Sequence, residues 1–168
     1  MTDLPPTAPD RSPRSVGFLL SQLGFVTSGR FASALEPVGL MPREWSLLRF
    51  VAASEGQSQQ ALAEQLGIPP SRMVALVDTL EDRGMLERRP DPEDRRVRAL
   101  HLTPEGRRAL ARAAKVAVEV ESRLCSVLDE AEREQLIDLL QKVQAEQVDR
   151  PGVHPGIARD HPARGRAE

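Results

Sequence analysis

Residues 58–89 read SQQALAEQLGIPPSRMVALVDTLEDRGMLERR, and the organisation of the whole chain follows from this stretch. Gly67 stands where a first helix must stop and turn, and Gly84 where a second helix ends. Two helices joined by so tight a turn predict a helix-turn-helix, whose second helix enters the DNA major groove. Apolar and small residues recur at the three-and-four spacing of one helix face: Leu62, Ala63, Leu66, Ile68, Met73, Leu76, Val77 and Leu80.

The next stretch, residues 85–103, reads MLERRPDPEDRRVRALHLT and predicts a charged hairpin. Residues 90–94 have turn chemistry, and the strand after them directs Leu100 and Leu102 back onto the helices. A guanidinium suits a narrow minor groove and bidentate phosphate contact. In isolation such a charge run favours a solvated, salt-bridged hairpin. Directly after a helix-turn-helix we interpret it as a DNA-contacting wing with five arginines: Arg88, Arg89, Arg95, Arg96 and Arg98.

Three stretches of the chain carry a family pattern. They are residues 40–48 (LMPREWSLL), the helix pair in residues 58–83, and residues 94–103 (DRRVRALHLT), which fit D-x-R-x-x-x-L-x-L-T. Over roughly residues 15–147 the chain resembles the MarR family of transcriptional regulators. The resemblance implies a homodimeric winged-helix repressor or activator that binds double-stranded DNA. Its fourth helix would lie in the major groove and a wing arginine in the minor groove.

The predicted fold class is mainly α, a winged helix-turn-helix with N- and C-terminal dimerisation helices and a two-stranded wing. Residues 1–13, rich in proline, predict a disordered arm, and residues 148–168, rich in proline, glycine and arginine, a disordered tail. Residues 14–36 and 104–147 are expected to form the helical dimerisation region. Residues 37–103 are expected to form the winged helix-turn-helix lobe.

The recognition helix departs from the family pattern at two positions. Pro69 stands where a serine usually caps the helix, so the cap slips to Ser71 or is missing. Ala75 stands where a longer polar side chain commonly reads a base. Arg72 is therefore the main base-reading candidate, with an intramolecular pair to Asp94 or another wing acid as the alternative. The complete predicted DNA-contact set is Ser58, Gln59, Pro70, Ser71, Arg72, Val74, Arg88, Arg95, Arg96 and Arg98.

The first and last helices carry more apolar surface than a single chain needs. Such a stripe is usually monomer core, and only the family resemblance favours dimerisation over it. The predicted dimerisation residues are Val16, Leu19, Leu20, Leu23, Leu124, Leu136, Leu139 and Leu140.

Two further residues have alternative interpretations. Trp45, the only tryptophan, is either a core anchor between the second helix and the first or, as the family resemblance implies, part of the wall of a pocket for a small aromatic or anionic effector. Cys125 is either an inert apolar side chain or the thiol of a redox-responsive regulator.

Composition limits the remaining function classes. The 168 residues carry a net charge of −2, which argues mildly against a protein that coats DNA through general basicity. Lysine occurs only at 115 and 142, so the cations are mostly arginine, whose guanidinium favours bidentate contacts. A helical protein-interaction module that lost DNA contact is the alternative function. A single cysteine, and no signal peptide or long apolar run, predict a cytoplasmic protein without membrane contact.

No cofactor or metal is expected. His154 and His161 lie in the predicted tail without the carboxylate and cysteine partners of a metal site. No set of residues with the pattern of a catalytic site occurs in the predicted folded part, so we expect no enzyme activity.

Overall fold

The computed structural model describes residues 15–90 and 98–157. In these ranges the elements follow in the order α1 Val16–Leu35, a 3-10 turn Glu36–Val38, α2 Pro42–Ala53, α3 Gln59–Leu66, α4 Pro70–Asp82, β1 Leu86–Pro90, β2 Arg98–Leu102, α5 Pro104–Leu124, α6 Glu130–Gln147 and a second 3-10 turn Pro155–Ile157. The predicted fold class, a mainly helical chain with a two-stranded wing, is confirmed.

Side-chain caps explain where most helices begin. The Ser58 hydroxyl accepts the backbone N–H of Ala61 at 3.1 Å at the start of α3. The Thr103 hydroxyl accepts the backbone N–H of Gly106 at 3.0 Å at the start of α5, where Pro104 occupies the first helical position. Each cap satisfies a backbone donor that the first helical turn leaves unpaired. Ser58 and Thr103 therefore cap α3 and α5.

Helix α4 begins without a side-chain cap. Pro69 is the residue before the helix, and Pro70 is its first residue. The backbone N–H groups of Arg72 and Met73 both donate to the Pro69 carbonyl at 3.0 Å. Proline at the first position removes a donor that would otherwise need a cap, so the helix tolerates the missing serine. Of the two predicted alternatives, the slip to Ser71 is wrong and the missing cap is correct.

Gly67 makes the turn between α3 and α4. Its φ of 64° lies in the left-handed region, and its backbone N–H bonds to the carbonyls of Ala63 and Glu64. A residue with a Cβ is strained in that conformation, whereas glycine is not. The turn thus brings the beginning of α4 close to the end of α3, as the sequence predicted.

The wing is an antiparallel pair of strands that extends to the loop before α3. Leu86 lies opposite Leu102, and Pro90 opposite Arg98, in the register of β1 and β2. Leu100 exchanges two further backbone hydrogen bonds of 3.0 Å with that loop, one with Gly56 and one with Gln57. The helix-turn-helix and the wing are therefore joined through the backbone as well as by side chains.

One hydrophobic core lies inside the lobe formed by α2, α3, α4, the wing and the first half of α5. Helix α1 contributes one fully buried residue, Leu35, and α6 contributes none. The core side chains removed entirely or almost entirely from solvent include Leu47, Leu48, Val51, Leu62, Met73, Val77, Leu80, Leu86 and Leu100. The lobe is packed by this chain alone, whereas the terminal helices leave their apolar faces open.

The segment after α6 differs from the expected disordered tail. Within the described part, Ile157 is 2% exposed and belongs to the lobe core, with Val153 packed against it. The backbone N–H of Ile157 donates to the His154 carbonyl at 3.0 Å and closes the second 3-10 turn, which contacts α2. The expectation for residues 148–168 is therefore corrected at residues 153–157. The remaining part of that tail, from residue 158, and the predicted arm over residues 1–13 lie outside the described residues.

Within residues 15–90 and 98–157, no helix combines the length and the apolar character needed to cross a membrane.

Candidate nucleic-acid interface

The outer face of α4 presents several of the side chains that the sequence assigned to DNA. Pro70, Ser71 and Val74 are exposed, while Arg72 is half-buried. Met73, Leu76, Val77 and Leu80 occupy the opposite, buried face. Packing of that inner face therefore fixes which residues of α4 point outward, and an edge of α4 with Ser71 and Val74 is open to a partner.

The start of α3 lies beside this face. Ser58 and Gln59 are both half-buried. The Ser58 hydroxyl accepts a bond within its own helix turn, and its O–H can still donate. The Gln59 side-chain carbonyl accepts the Nε–H of Arg88 at 3.0 Å, so this amide is held in place by the wing.

Arg88 has a structural position that the sequence did not predict. Its guanidinium donates to Gln59 on α3 and to the carboxylates of Asp78 and Glu81 on α4. Its backbone N–H also donates to Glu81 at 3.1 Å, and its side chain is only 20% exposed. The guanidinium of Arg88 binds two acids and an amide and so joins β1 to both helices, which gives Arg88 a structural role; its assignment to DNA stays a prediction. Asp78 and Glu81 lie three residues apart on one face of α4, so both carboxylates can reach the same guanidinium.

The other wing arginines divide into two groups. Arg98 is exposed at the beginning of β2, where a side chain can extend toward a second molecule. Arg89 is exposed and pairs with Glu87 on the same strand. The predicted contacts Arg95 and Arg96 lie outside the described residues.

A buried carboxylate fixes the far end of α4. Glu44, 5% exposed, accepts the Met41 backbone N–H at 2.8 Å and the Nη1–H of Arg83 at 3.0 Å. Arg83 also donates to the Gly39 carbonyl. A buried charge needs such partners to offset its lost hydration. The pair holds the end of α4 to the beginning of α2.

Glu55 joins the loop after α2 to the wing and to α5. Its Oε1 accepts the Nη1–H of Arg107 at 2.7 Å and the backbone N–H of Leu102 at 3.2 Å. Burial by itself would raise the pKa of Glu55. The two hydrogen bonds and the nearby charges of Arg107 and His101 together outweigh it and lower the pKa below its ordinary value of 4.5.

A cleft of about 770 Å³ lies between α1 and α5. Its wall is mainly apolar, with Phe25, Val26 and Leu124, and two arginines, Arg30 and Arg123, add positive charge. Trp45, the predicted effector residue, is not among its lining residues. The indole instead packs edge-on against Phe31 of α1, with ring centroids 5.0 Å apart, and Arg49 lies over its face. The core-anchor interpretation of Trp45 fits this geometry.

The predicted dimerisation residues are open to solvent in the single chain. Val16, Leu19, Leu20 and Leu23 are exposed on α1, and Leu136, Leu139 and Leu140 on α6; Leu124 is half-buried. A contiguous apolar face of this kind marks a surface that another molecule covers. The alternative that this stripe is monomer core does not fit α6, which has no buried residue.

Cys125 ends α5 in an environment that disfavours the thiolate. Burial first, and then the negative charge and hydrogen bond of Glu121, raise the pKa of the thiol above its ordinary value. The sulfur lies 3.6 Å from the Glu121 carboxylate. A reactive cysteine needs a lowered pKa, so this geometry argues against the redox-responsive alternative.

In the described part of the chain, no three or more His, Cys, Asp or Glu side chains are grouped so as to hold a metal ion. His154 has a local structural contact, since its Nδ1 accepts the Gly156 backbone N–H at 3.0 Å within the second 3-10 turn.

One lobe carries the exposed helix α4, the tight turn at Gly67 and a two-stranded wing. This combination defines a winged helix-turn-helix protein. Residues 38–97 match the model of the MarR family. The chain is 32% identical to a putative transcriptional regulatory protein for the hcr operon of Thauera aromatica, over 81% of this chain and 82% of that protein. The chain belongs to the MarR family of transcriptional regulators, and the resemblance seen in its sequence is confirmed.

Solved structures agree with this assignment. The transcriptional repressor CouR bound to a 23-mer DNA duplex superposes with a TM-score of 0.69 at 35% identity, covering 77% of this chain and 92% of that chain. CouR from Rhodococcus jostii RHA1 bound to p-coumaroyl-CoA superposes with a TM-score of 0.64 at 36% identity, over the same shares of both chains.

Proposed function

We propose that the chain is a sequence-specific DNA-binding repressor that acts as a homodimer on a pseudo-palindromic operator. The observation that carries the proposal is the exposed edge of α4, held out from a lobe whose core the chain completes by itself. The DNA-bound repressor CouR, similar over most of both chains, supports the same use of this surface.

In the proposed complex, α4 lies in the major groove. Arg72 is the base-reading side chain, because an arginine donates two parallel hydrogen bonds to guanine. Ser58, Gln59 and Ser71 approach the phosphates on either side of the groove. Arg98 extends toward the adjacent minor groove, whose negative potential favours a guanidinium, and the sequence assigns Arg95 and Arg96 to the same groove. Two lobes related by a two-fold axis would then read half-sites about 34 Å apart, one turn of DNA.

The test measures binding of the purified protein to DNA upstream of its own gene by fluorescence anisotropy at several salt concentrations. The logarithm of the affinity should fall steeply with the logarithm of salt concentration, with a slope on the order of several released counterions. Arg72→Ala should lose about 1–3 kcal/mol of discrimination between operator and unrelated DNA. Arg98→Ala should weaken binding to the operator and to unrelated DNA, and reduce the slope by about two, one for each subunit of the homodimer.

The control is Lys115→Ala, which removes one positive charge from an exposed position of α5. It should leave the slope near that of the wild type. Complete absence of binding at low salt would instead favour the alternative, a helical protein-interaction module. An Arg72→Ala variant with undiminished discrimination would remove Arg72 from base reading.

We further propose that a small anionic aromatic ligand releases the repressor from DNA. The cleft between α1 and α5 supports this, because its apolar wall suits an aromatic ring and Arg30 and Arg123 suit a carboxylate or phosphate. The CouR complex with p-coumaroyl-CoA makes aromatic acids and their coenzyme A thioesters the first ligands to add to the same anisotropy assay.

We also propose that the chain catalyses no reaction and works in the cytoplasm. Its relatives are regulators rather than enzymes, and a protein that controls transcription has to reach the chromosome.

A further inference from the structure

Arg150 follows α6 by three residues, yet its side chain lies at the helix-turn-helix. The guanidinium is placed against the backbone of Gly67, so closely that a Cβ added there would overlap its Nη1 atom. Together with residues of α3 and α4, Arg150 lines a second cleft of about 700 Å³. A cation from the C-terminal segment therefore sits at the turn that connects the two helices.

Three residues of the predicted DNA contact set, Gln59, Pro70 and Val74, line that same cleft. A DNA backbone that passes α3 and α4 at these residues has to pass Arg150 as well. The side chain is exposed, so its guanidinium is accessible to a phosphate.

The segment that carries Arg150 is fastened to the lobe on its C-terminal side. The Arg150 carbonyl accepts the Val153 backbone N–H at 3.2 Å, and Ile157 is buried in the core next to α2. An anchored backbone loses less conformational entropy on binding than a free tail does. The anchor therefore gives Arg150 a fixed position at the cleft.

We propose that Arg150 is a further DNA contact, which binds a backbone phosphate at the turn between α3 and α4. The inference rests on the proposed DNA-binding function. It assigns the C-terminal segment to the DNA interface together with the lobe and the wing. A phosphate contact positions the protein without reading sequence, so its effect should be the same on operator and unrelated DNA.

The experiment compares full-length wild type, Arg150→Ala, Arg150→Lys and the charge-matched control Lys115→Ala in the anisotropy assay across salt concentrations. Arg150→Ala should weaken binding about three- to tenfold on operator and on unrelated duplex alike, and reduce the salt slope by about two, one for each subunit of the homodimer. Arg150→Lys should keep the wild-type slope, because it keeps the charge. Lys115→Ala should change neither.

The other outcomes overturn the inference in distinguishable ways. If the wild type binds with a steep slope and Arg150→Ala has the same affinity and slope, Arg150 only supports the Gly67 turn, and the proposed function stands. If Arg150→Ala binds more tightly, the C-terminal segment covers the DNA face and inhibits binding. If the wild type itself does not bind, the inference and the proposed function both fail.

Discussion

Single residues connect distant parts of this lobe because their hydrogen-bonding groups reach several elements at once. Glu55 accepts from α5 and from β2 with the same oxygen, and Glu44 accepts from α4 and from the start of α2. The contact of Glu44 with Met41 is local, whereas the contacts of Glu44 with Arg83 and of Glu55 with Leu102 and Arg107 join residues 39 to 52 positions apart and do not follow from local sequence. By contrast Gly67 was predictable, because the positive φ of a tight turn restricts that position to glycine in any sequence context.

The lowered pKa of Glu55 makes part of the stability depend on pH. Its carboxylate is favoured in the folded state, so this contribution is fully present above the ordinary value of 4.5 and is lost as the pH falls through the lowered pKa. Glu55→Gln should therefore lower the free energy of unfolding at pH 7 and have a smaller effect at pH 3. Urea denaturation at the two pH values measures both.

Glu119→Gln, at an exposed position of α5, is the control for the removal of one carboxylate. If Glu55→Gln lowers the free energy of unfolding equally at pH 7 and pH 3, the ionised form of Glu55 contributes nothing to stability.

Elements were predictable where local chemistry decides them. The starts of α3 and α5 follow from Ser58 and from Thr103 with Pro104, and the alternation of the wing follows from its apolar residues. The orientation of Arg88 was not predictable, because it depends on two acids of α4 and an amide of α3 that only the folded chain brings together. Proximity in sequence to the wing arginines suggested DNA, whereas the tertiary contacts assign it to the lobe.

The arrangement around Arg88 predicts a structural rather than an electrostatic effect on DNA binding. Arg88→Ala should lower the free energy of unfolding by about 2 kcal/mol, because two partly exposed carboxylates and an amide lose a charged donor. A loss of that size lowers the melting temperature by roughly 4–8 °C in a chain of this length. The salt slope of DNA binding should stay within experimental error of the wild type.

Arg89→Ala provides the matched comparison one residue away. The Arg89 side chain is 56% exposed and pairs with Glu87, so its loss should cost less than about 1 kcal/mol. If Arg88→Ala melted like the wild type and reduced the salt slope by about two, one for each subunit, the original assignment of Arg88 to a phosphate would be right after all.

At the scale of the whole molecule, the lobe has a complete hydrophobic core, whereas the terminal helices α1 and α6 leave most of their apolar side chains uncovered. Helix α6 has no buried residue, and most apolar side chains of α1, from Val16 to Val26, face solvent in the single chain. The sequence indicated this surplus of apolar surface but not its distribution, since periodicity does not distinguish a face covered by the same chain from one covered by another. The sequence did not predict the second 3-10 turn, because a single isoleucine among prolines and glycines has no periodicity.

A charge placed on the apolar face of α6 tests the homodimer. Leu139→Glu should weaken self-association by about 100-fold or more, since each of two leucines contributes roughly 1.5–3 kcal/mol when buried. Sedimentation at micromolar concentration should then shift from twice the chain mass of 18.5 kDa toward a single chain. Operator affinity should fall with it.

Gln141→Glu introduces the same charge two residues along α6, on the side of the helix away from Leu136 and Leu140. It should sediment as the wild type does. If both variants dissociated alike, or if Leu139→Glu remained paired, the apolar face of α6 would not be the dimer contact.

The bare face of α6 also affects how the regulator responds to its own abundance. While most chains are single, mass action makes the number of pairs grow with the square of the number of chains, so a twofold rise in synthesis gives about four times as many operator-competent pairs. If the chains form the proposed homodimer, repression would therefore begin over a narrow range of protein concentration, because of the dimerisation equilibrium alone.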